Sequence, residues 1–433
     1  MKTIVFIGAN KSGSSYEAIK ASEEMHYYTV LLTDRKTFFD KRMDFPHVHS
    51  MRMCNLEDIH DIKSAIDRIA QDRFTIDAIV SFIDPYCHTA ALLSREFGLK
   101  AFTPETIKLM LDKTKSREVL RETPYSLSYQ VIDDGRSHSE PKLALPVVLK
   151  APQSSASKDV HVAQTNSQYQ HAVTKLQAQY PGAPVLVEQY IPGSQYLVET
   201  LTVKGKVQIV AIIRQEIIFS GRFIVTGYQV ILDEERIFFH RLKQAVRGIV
   251  RAHGMGDGSC HLELRYFEKE WKLIEANPRI SGGAMNLLIE TAYGINLAKE
   301  TLKAALGQEP DIRRKHRKEA FLQYIVVPGA GTLRKVTGKT MAQNSPGVVQ
   351  VYVKPKKGSI LMPPVSMGHR YAYVIGTGDC ADEARMNAKT GASKIKFHLR
   401  AKRQGSVEAG SRQGGDSGHV DLDYFADNVI YES

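Results

Sequence analysis

Leu273-Ile274-Glu275-Ala276-Asn277-Pro278-Arg279-Ile280-Ser281-Gly282-Gly283 is the stretch that decides how this chain is read. Taken as a strand, it carries a carboxylate, an amide and a guanidinium at alternate positions, and alternate side chains share one face. An earlier segment, Cys260-His261-Leu262-Glu263-Leu264, supplies a second acid. Glu263, Glu275 and Asn277 make an all-oxygen donor set suited to hard divalent cations held beside phosphates. Arg279 adds a fork of donors for an anionic intermediate. A half-buried strand with a solvated polar face is the weaker alternative, because an arginine and two acids rarely face a core together.

At 433 residues the chain exceeds the size at which one hydrophobic core keeps growing, so two or three domains are expected. Cys54, Cys87, Cys260 and Cys380 lack paired spacing, which argues against a zinc site or a secreted disulfide framework and for a cytoplasmic setting. The apolar run at Thr3 to Ile7 is too short for a signal-peptide core and reads as a first strand. No apolar stretch approaches bilayer length. The net charge of +11 sits largely in Arg313 to Lys318 and in Lys394 to Arg403. Neither run interleaves aromatics as a single-strand platform does, so a solvated basic face is expected rather than a nucleic-acid or membrane partner.

Strand, helix and strand alternate from Thr3 to Leu32, and a second round runs through a helix at Ile62 to Ala70 and a strand at Ala78 to Phe82. This pattern predicts an open parallel sheet flanked by helices, with ligands at the carboxyl ends of strands, where Asp84 stands. Gly8 and Gly13 do not complete a dinucleotide fingerprint, and no P-loop is present. A helix carrying Asp112 to Arg117 follows, then a buried strand, Pro146 to Lys150, with a lysine at its exit. Alternating segments as far as Val230 predict an antiparallel sheet. A long amphipathic helix spans Ile237 to Ala252, and a closing helix is expected from Ala381 to about Leu399. Gln404 to Ser433 is rich in Gly, Ser, Gln and Asp and reads as a mobile tail.

Lys113 and Lys150 supply point charges of the kind a polyphosphate needs. The small-residue loop with Ser154, Ser155 and Ser157 is able to lay backbone N–H groups and hydroxyls over phosphates, although a plain solvent loop is the rival reading. Glu188-Gln189-Tyr190-Ile191, before Pro192-Gly193, offers exposed backbone and a carboxylate to an adenine edge. The order of these pieces, Asp112-Lys113, Leu145 to Lys150, Val187 to Gly193, Glu263 and then Glu275-Ala276-Asn277-Pro278-Arg279, resembles the ATP-grasp superfamily over most of the chain. Gly368 to Ile375, followed by a helix, looks like the carboxylate-amine ligase branch that includes the bacterial L-amino acid ligases.

The resemblance implies an α/β fold, α+β in its centre. An N-terminal open-sheet domain (1–112) would precede a two-part ATP-binding unit (113–318), a closing domain (319–403) and the tail (404–433). It implies that Lys113 and Lys150 contact the phosphates of ATP and that Glu188 with its neighbours holds adenine. Glu263, Glu275 and Asn277 would bind two Mg2+ ions, with Mn2+ an acceptable substitute, and Arg279 would steady an acyl phosphate. Two departures stand out. The phosphate-covering loop has serines where relatives often have glycines, and Gln195 stands near where many members place an acid on the ribose.

For substrates, Asp84 is positioned to meet an ammonium group, Arg222 a carboxylate, and His261 the acyl site, although a lone strand histidine is more often a satisfied core residue. Gly282 and Gly283 allow a small molecule close to backbone. The reading is a cytoplasmic ligase that activates one amino acid as an acyl phosphate and joins it to another. The alternative is a ligase or carboxylase for a different acid or bicarbonate. A homodimer is compatible with either.

Overall fold

The computed structural model describes residues 1–72, 74–133, 140–152, 159–219, 223–233, 236–364, 366–401 and 428–432. They fall into two compact units that do not follow chain order. The first holds Met1–Ile132, Leu186–Ile212 and Asp233–Arg317, and the second Asp133–Val185, Ile213–Leu232 and Lys318–Ser433.

In the first unit the expected parallel sheet is present, with strands ordered Ser50–Met53, Tyr28–Thr33, Lys2–Ile7 and Thr75–Val80. Ile4 to Ile7 are buried on both faces, which is why this strand is an unbroken apolar run rather than an alternating one. Helix Ile59–Gln71 turns Ile62, Ala65, Ile66 and Ile69 inward, and Asp58 caps it by accepting from the His60 N–H. The expected helix around Asp112 is two helices, Pro104–Leu111 and Lys113–Leu120. Asp112 is extended between them, and its carboxylate accepts from Thr114 N and Lys115 N, so the acid starts a new helix instead of continuing the old one.

Three neighbouring antiparallel strands of this unit, Gln195–Val203, Gly258–Phe267 and Glu270–Asn277, belong to a larger mostly antiparallel sheet. The last two are joined by a two-residue turn, Glu268-Lys269, with φ of 49° and 66°, the left-handed geometry that follows strand twist. Between Glu263↔Glu275 and Leu264↔Leu273 the register shifts, so Ile274 is an extra residue on its strand, a β-bulge. Helix Ile237–Ala252 packs on Glu270–Asn277. Trp271 sits among Tyr196, Phe238 and Tyr266 with ring centroids 4.7–5.3 Å away.

In the second unit, Val147–Lys150 pairs antiparallel with Val160–Ala163, beside the Thr165-capped helix Asn166–Gln179. Strand Phe223–Val230 pairs antiparallel with residues 213–219 and with Glu319–Ile325, which is bonded in turn to Ala372–Gly378, and that to Val348–Val353. The closing helix ends at Lys394, not near Leu399. Ile395, Phe397 and Leu399 are fully buried at a period of two, so Lys396–Ala401 is a strand. The tail reading also needs correction at its end. Val429–Glu432 forms a strand parallel to Lys396–Ala401, and Asn428 donates to the carbonyls of Ala392 (2.9 Å) and Ile395 (2.7 Å). Averaged over thirty residues, the polar composition masks this short Val429-Ile430-Tyr431 run. Among the described residues no helix is long and apolar enough to cross a membrane.

Asn428→Ala removes both side-chain bonds from buried carbonyls and should lower stability by about 1–3 kcal/mol. A thermal melt reads this, and an unchanged transition would show that the last strand is not anchored there.

Candidate functional site

On these three strands of the first unit, one face is polar. Gln195 and Glu199 stand on one strand, His261, Glu263 and Arg265 on the next, and Glu275 and Asn277 on the third. Glu263 lies directly opposite Glu275, and His261 opposite both Asn277 and Glu199. Like charges facing each other across a ladder repel, and the surrounding donors offset this. Gln195 Nε2 donates to Glu263 Oε2 at 2.6 Å, and Lys113 Nζ lies 3.3 Å from Glu275 Oε1. His261 Nδ1 is 2.6 Å from Glu199 Oε1, while its Nε2 is 3.5 Å from Glu263 Oε1. Burial by itself would lower the His261 pKa, but Glu199 and Glu263 outweigh it and hold the imidazolium up to about 10. His261 is therefore a buried cation between two acids, unlike a neutral core histidine.

Arg279 lies just past the Glu270–Asn277 strand. Its Nη2 donates to Asp84 Oδ2 at 2.5 Å and its Nη1 to the Ile280 carbonyl at 2.9 Å, so two of its five donors are used. Burial opposes its charge, but Asp84 beside it raises its pKa above the ordinary value. The other oxygen of Asp84, Oδ1, is buried with no hydrogen-bond partner among the described residues. Asp84 is at the start of helix Asp84–Glu96, at the carboxyl end of the parallel sheet where the sequence put it. Gly283 has φ of 67°, and a Cβ added at Gly13 would sit 3.1 Å from the Gly283 nitrogen. The glycines after Arg279 thus approach the loop leaving the first strand, while Gly282 has open space around it. Burial pushes the Cys87 and Cys260 thiols up to about 12, so neither is a nucleophile at neutral pH.

Lys113, Asp84, His261, Glu263, Glu275, Asn277, Arg279, Gly282 and Gly283 all belong to the first unit. Lys150 is in the second unit, buried at the end of its strand. Ser154, Ser155, Ser157 and Arg222 lie outside the described residues. Two expectations change. The Glu188 carboxylate is held in a buried ion pair. It is 2% exposed and 2.5 Å from the buried Arg117, which leaves the half-buried Gln189, Tyr190 and the buried Ile191 as that segment's surface. Gln195 is also engaged, accepting from Arg265 Nε at 3.0 Å while it donates to Glu263. The sequence reading missed Glu199, which also accepts from Ser281 N at 3.2 Å, and it missed Arg265 and the role of Arg117. The one signal for Glu199 was an acid in the otherwise uncharged run Tyr196 to Val203, on the same face as Gln195.

The donor set of Glu263, Glu275 and Asn277 fits a hard divalent cation: oxygen ligands on adjacent strands of one face, each half-exposed. No group of three His, Cys, Asp or Glu side chains able to hold a metal is found among the described residues, so the amide of Asn277 would have to complete the set.

Residues 143–286 match the family model of the ATP-grasp domain, and residues 323–400 match that of the L-amino acid ligase C-terminal domain 2. A curated relative, "Uncharacterized protein y4rH" of Sinorhizobium fredii, is 25% identical over 334 residues, which cover 72% of this chain and 66% of that protein. The chain thus spans just under two thirds of that relative's length. The crystal structure of an L-amino acid ligase from Bacillus licheniformis superposes with a TM-score of 0.79 at 19% identity, covering 93% of this chain and 99% of that one. The biotin carboxylase domain of the Hydrogenobacter thermophilus 2-oxoglutarate carboxylase, solved with MgADP and bicarbonate, gives 0.67 at 16% identity, over 91% and 90%.

If Glu199 holds the His261 proton, Glu199→Gln should lower the His261 pKa well below 10 in metal-free protein, as read by NMR titration of the ring protons. The same pairing stabilises the fold fully below the unfolded histidine value of about 6.5, and the contribution is lost as pH rises through the folded value. A titration unchanged by Glu199→Gln would remove Glu199 as the cause.

The chain thus carries an ATP-grasp domain at residues 143–286 and an L-amino acid ligase C-terminal domain 2 at residues 323–400, on a fold similar to that of a solved L-amino acid ligase.

Proposed function

We propose that this protein is an ATP-dependent ligase that activates an amino acid carboxylate as an acyl phosphate and joins it to the amine of a second amino acid, releasing ADP and phosphate. The observation that carries this reading is the Glu263, Glu275 and Asn277 face ending at Arg279, whose partner Asp84 keeps one buried oxygen unpartnered among the described residues. An amino acid brings an anion and a cation three bonds apart, and this pair of side chains offers complementary charges. Bicarbonate, the substrate class of the alternative carboxylase reading, has no ammonium group to use Asp84.

In this scheme Glu263, Glu275 and Asn277 would hold magnesium, two ions as in the sequence expectation, or manganese in its place. The metal's contribution is to neutralise phosphate charge. Lys113 and Lys150 contribute further cations, and the segment Gln189 to Ile191 faces the adenine with backbone. A substrate carboxylate oxygen attacks the γ-phosphorus, the bond to the bridging oxygen breaks, and ADP departs. The second substrate's amine then attacks the acyl carbon, its proton is lost, and phosphate leaves. Arg279 stays charged throughout and turns its remaining donors to the oxyanion. His261, as a cation behind Glu263, limits the net negative charge of the acidic face. Partners are small molecules in the cytoplasm, without nucleic acid or membrane, and a homodimer is compatible with the scheme.

Phosphate release from ATP and magnesium across pairs of amino acids, with mass spectrometry of the products, tests the reading. The expected product has the summed mass less water, and release that depends on bicarbonate alone would favour the carboxylase. Glu275→Ala or Asn277→Ala should reduce turnover by at least roughly a hundredfold. Arg279→Ala should leave nucleotide binding within a few-fold while suppressing product. Loss of nucleotide binding in Arg279→Ala would contradict its place at the acyl centre.

A further inference from the structure

The bulge at Ile274 changes which way Glu275 points. Trp271 and Leu273 face the core, and Glu275 and Asn277 have the same sequence parity. An unbroken strand would turn all four to one side. The extra residue reverses the alternation, leaving Leu273 and Ala276 buried and moving Glu275 to the face of Glu263. A bulge interrupts the ladder and leaves backbone groups to be satisfied elsewhere. Here the Ile274 carbonyl accepts from Arg117 Nη2 at 2.6 Å, and the Leu273 N–H donates to the Tyr125 carbonyl at 2.9 Å.

Arg117 is 1% exposed, and its Nε donates to Glu188 Oε1 at 2.5 Å. It stands on helix Lys113–Leu120, one turn from Lys113, whose ammonium reaches Glu275, and Ser116 beside it contacts His253 Nε2 at 2.9 Å. One guanidinium therefore ties three elements: its own helix, the bulge next to Glu275, and the strand that runs into Gln189 to Ile191. A planar fork suits a carboxylate and a carbonyl on separate strands, because its donors diverge from separate nitrogens, whereas those of a lysine radiate from one compact atom.

We propose that Arg117 is a positioning residue that locks the Ile274 bulge and thereby aims Glu275 at Glu263, with Glu188 as the counter-ion that balances its buried charge. Its consequence for metal and nucleotide rests on the ligase reading, whereas the lock itself does not. Removing Arg117 alone would strand the Glu188 charge, so the test uses Arg117→Met/Glu188→Met, since apolar replacement of both partners of a buried pair is often neutral for folding.

Amide exchange over residues 270–278 reads the lock without any ligand. Protection at Glu275 to Asn277 should fall at least about tenfold in the double variant relative to helix Ile237–Ala252 in the same molecule, and should persist in Glu188→Gln, which keeps the Arg117 bond to Ile274. Unchanged protection in the double variant overturns the proposal, as does equal loss in Glu188→Gln. Mn2+ binding by electron paramagnetic resonance, with a slowly hydrolysed ATP analogue, reads the consequence: at least about tenfold weaker in the double variant at unchanged melting temperature. Should wild-type protein bind no Mn2+ and nucleotide while the exchange result holds, the ligase reading falls and the lock stands.

Discussion

Two carboxylates directly opposite each other on antiparallel strands repel, and much of the polar structure of the first unit answers that repulsion. Glu263 is met by Gln195 and the His261 cation, Glu275 by Lys113, and Glu199 by His261 and the Ser281 N–H. None of these contacts is a long-range field effect. Each is a single short bond or ion pair in a buried or half-buried setting, where effective dielectric is lower than in water and charge imbalance is costly. A protein selected only for stability would replace such a face with apolar side chains. Keeping two facing acids and then assembling donors around them makes sense where the acids have a cation to hold, and the same logic applies to Asp84 and Arg279, whose pairing leaves one carboxylate oxygen unsatisfied among the described residues.

The parallel sheet was legible because its two central strands are buried on both faces and the helix Ile59–Gln71 is amphipathic; Ile4 to Ile7 and the Ile62, Ile66, Ile69 stripe carry that signal unaided. The acid, amide and arginine of the candidate site were legible for a different reason, since they lie within a few residues of one another. Features that depend on contacts between distant segments were not. Arg117 and Glu188 are 71 residues apart and Arg279 and Asp84 are 195 apart. Nothing local distinguishes a buried, paired Glu188 from an exposed one. The break at Asp112 was hidden because an N-cap acid inside a helical pattern looks like an ordinary helical residue until its carboxylate is seen on the following N–H groups. The strand at Val429–Glu432 was obscured by its polar surroundings and by needing Lys396–Ala401 as a partner, itself read as helix.

Parity is where sequence reasoning about the decisive stretch succeeded and also fell short. Alternation correctly put Glu275 and Asn277 on one face, but the same alternation, continued backwards, puts Leu273 and Trp271 beside them. Those two are among the most buried residues of the chain, so the pattern is inconsistent with any regular strand. That conflict is itself a signal. A run in which core residues and functional acids share parity requires an irregularity between them, and Ile274 is the position between the last core residue and the first acid. The bulge then needs a donor from outside the ladder for its carbonyl, and the buried cation that supplies it, Arg117, lies on the helix that also carries Lys113. The geometry of the acids and the placement of the lysine thus follow from one local break in strand periodicity.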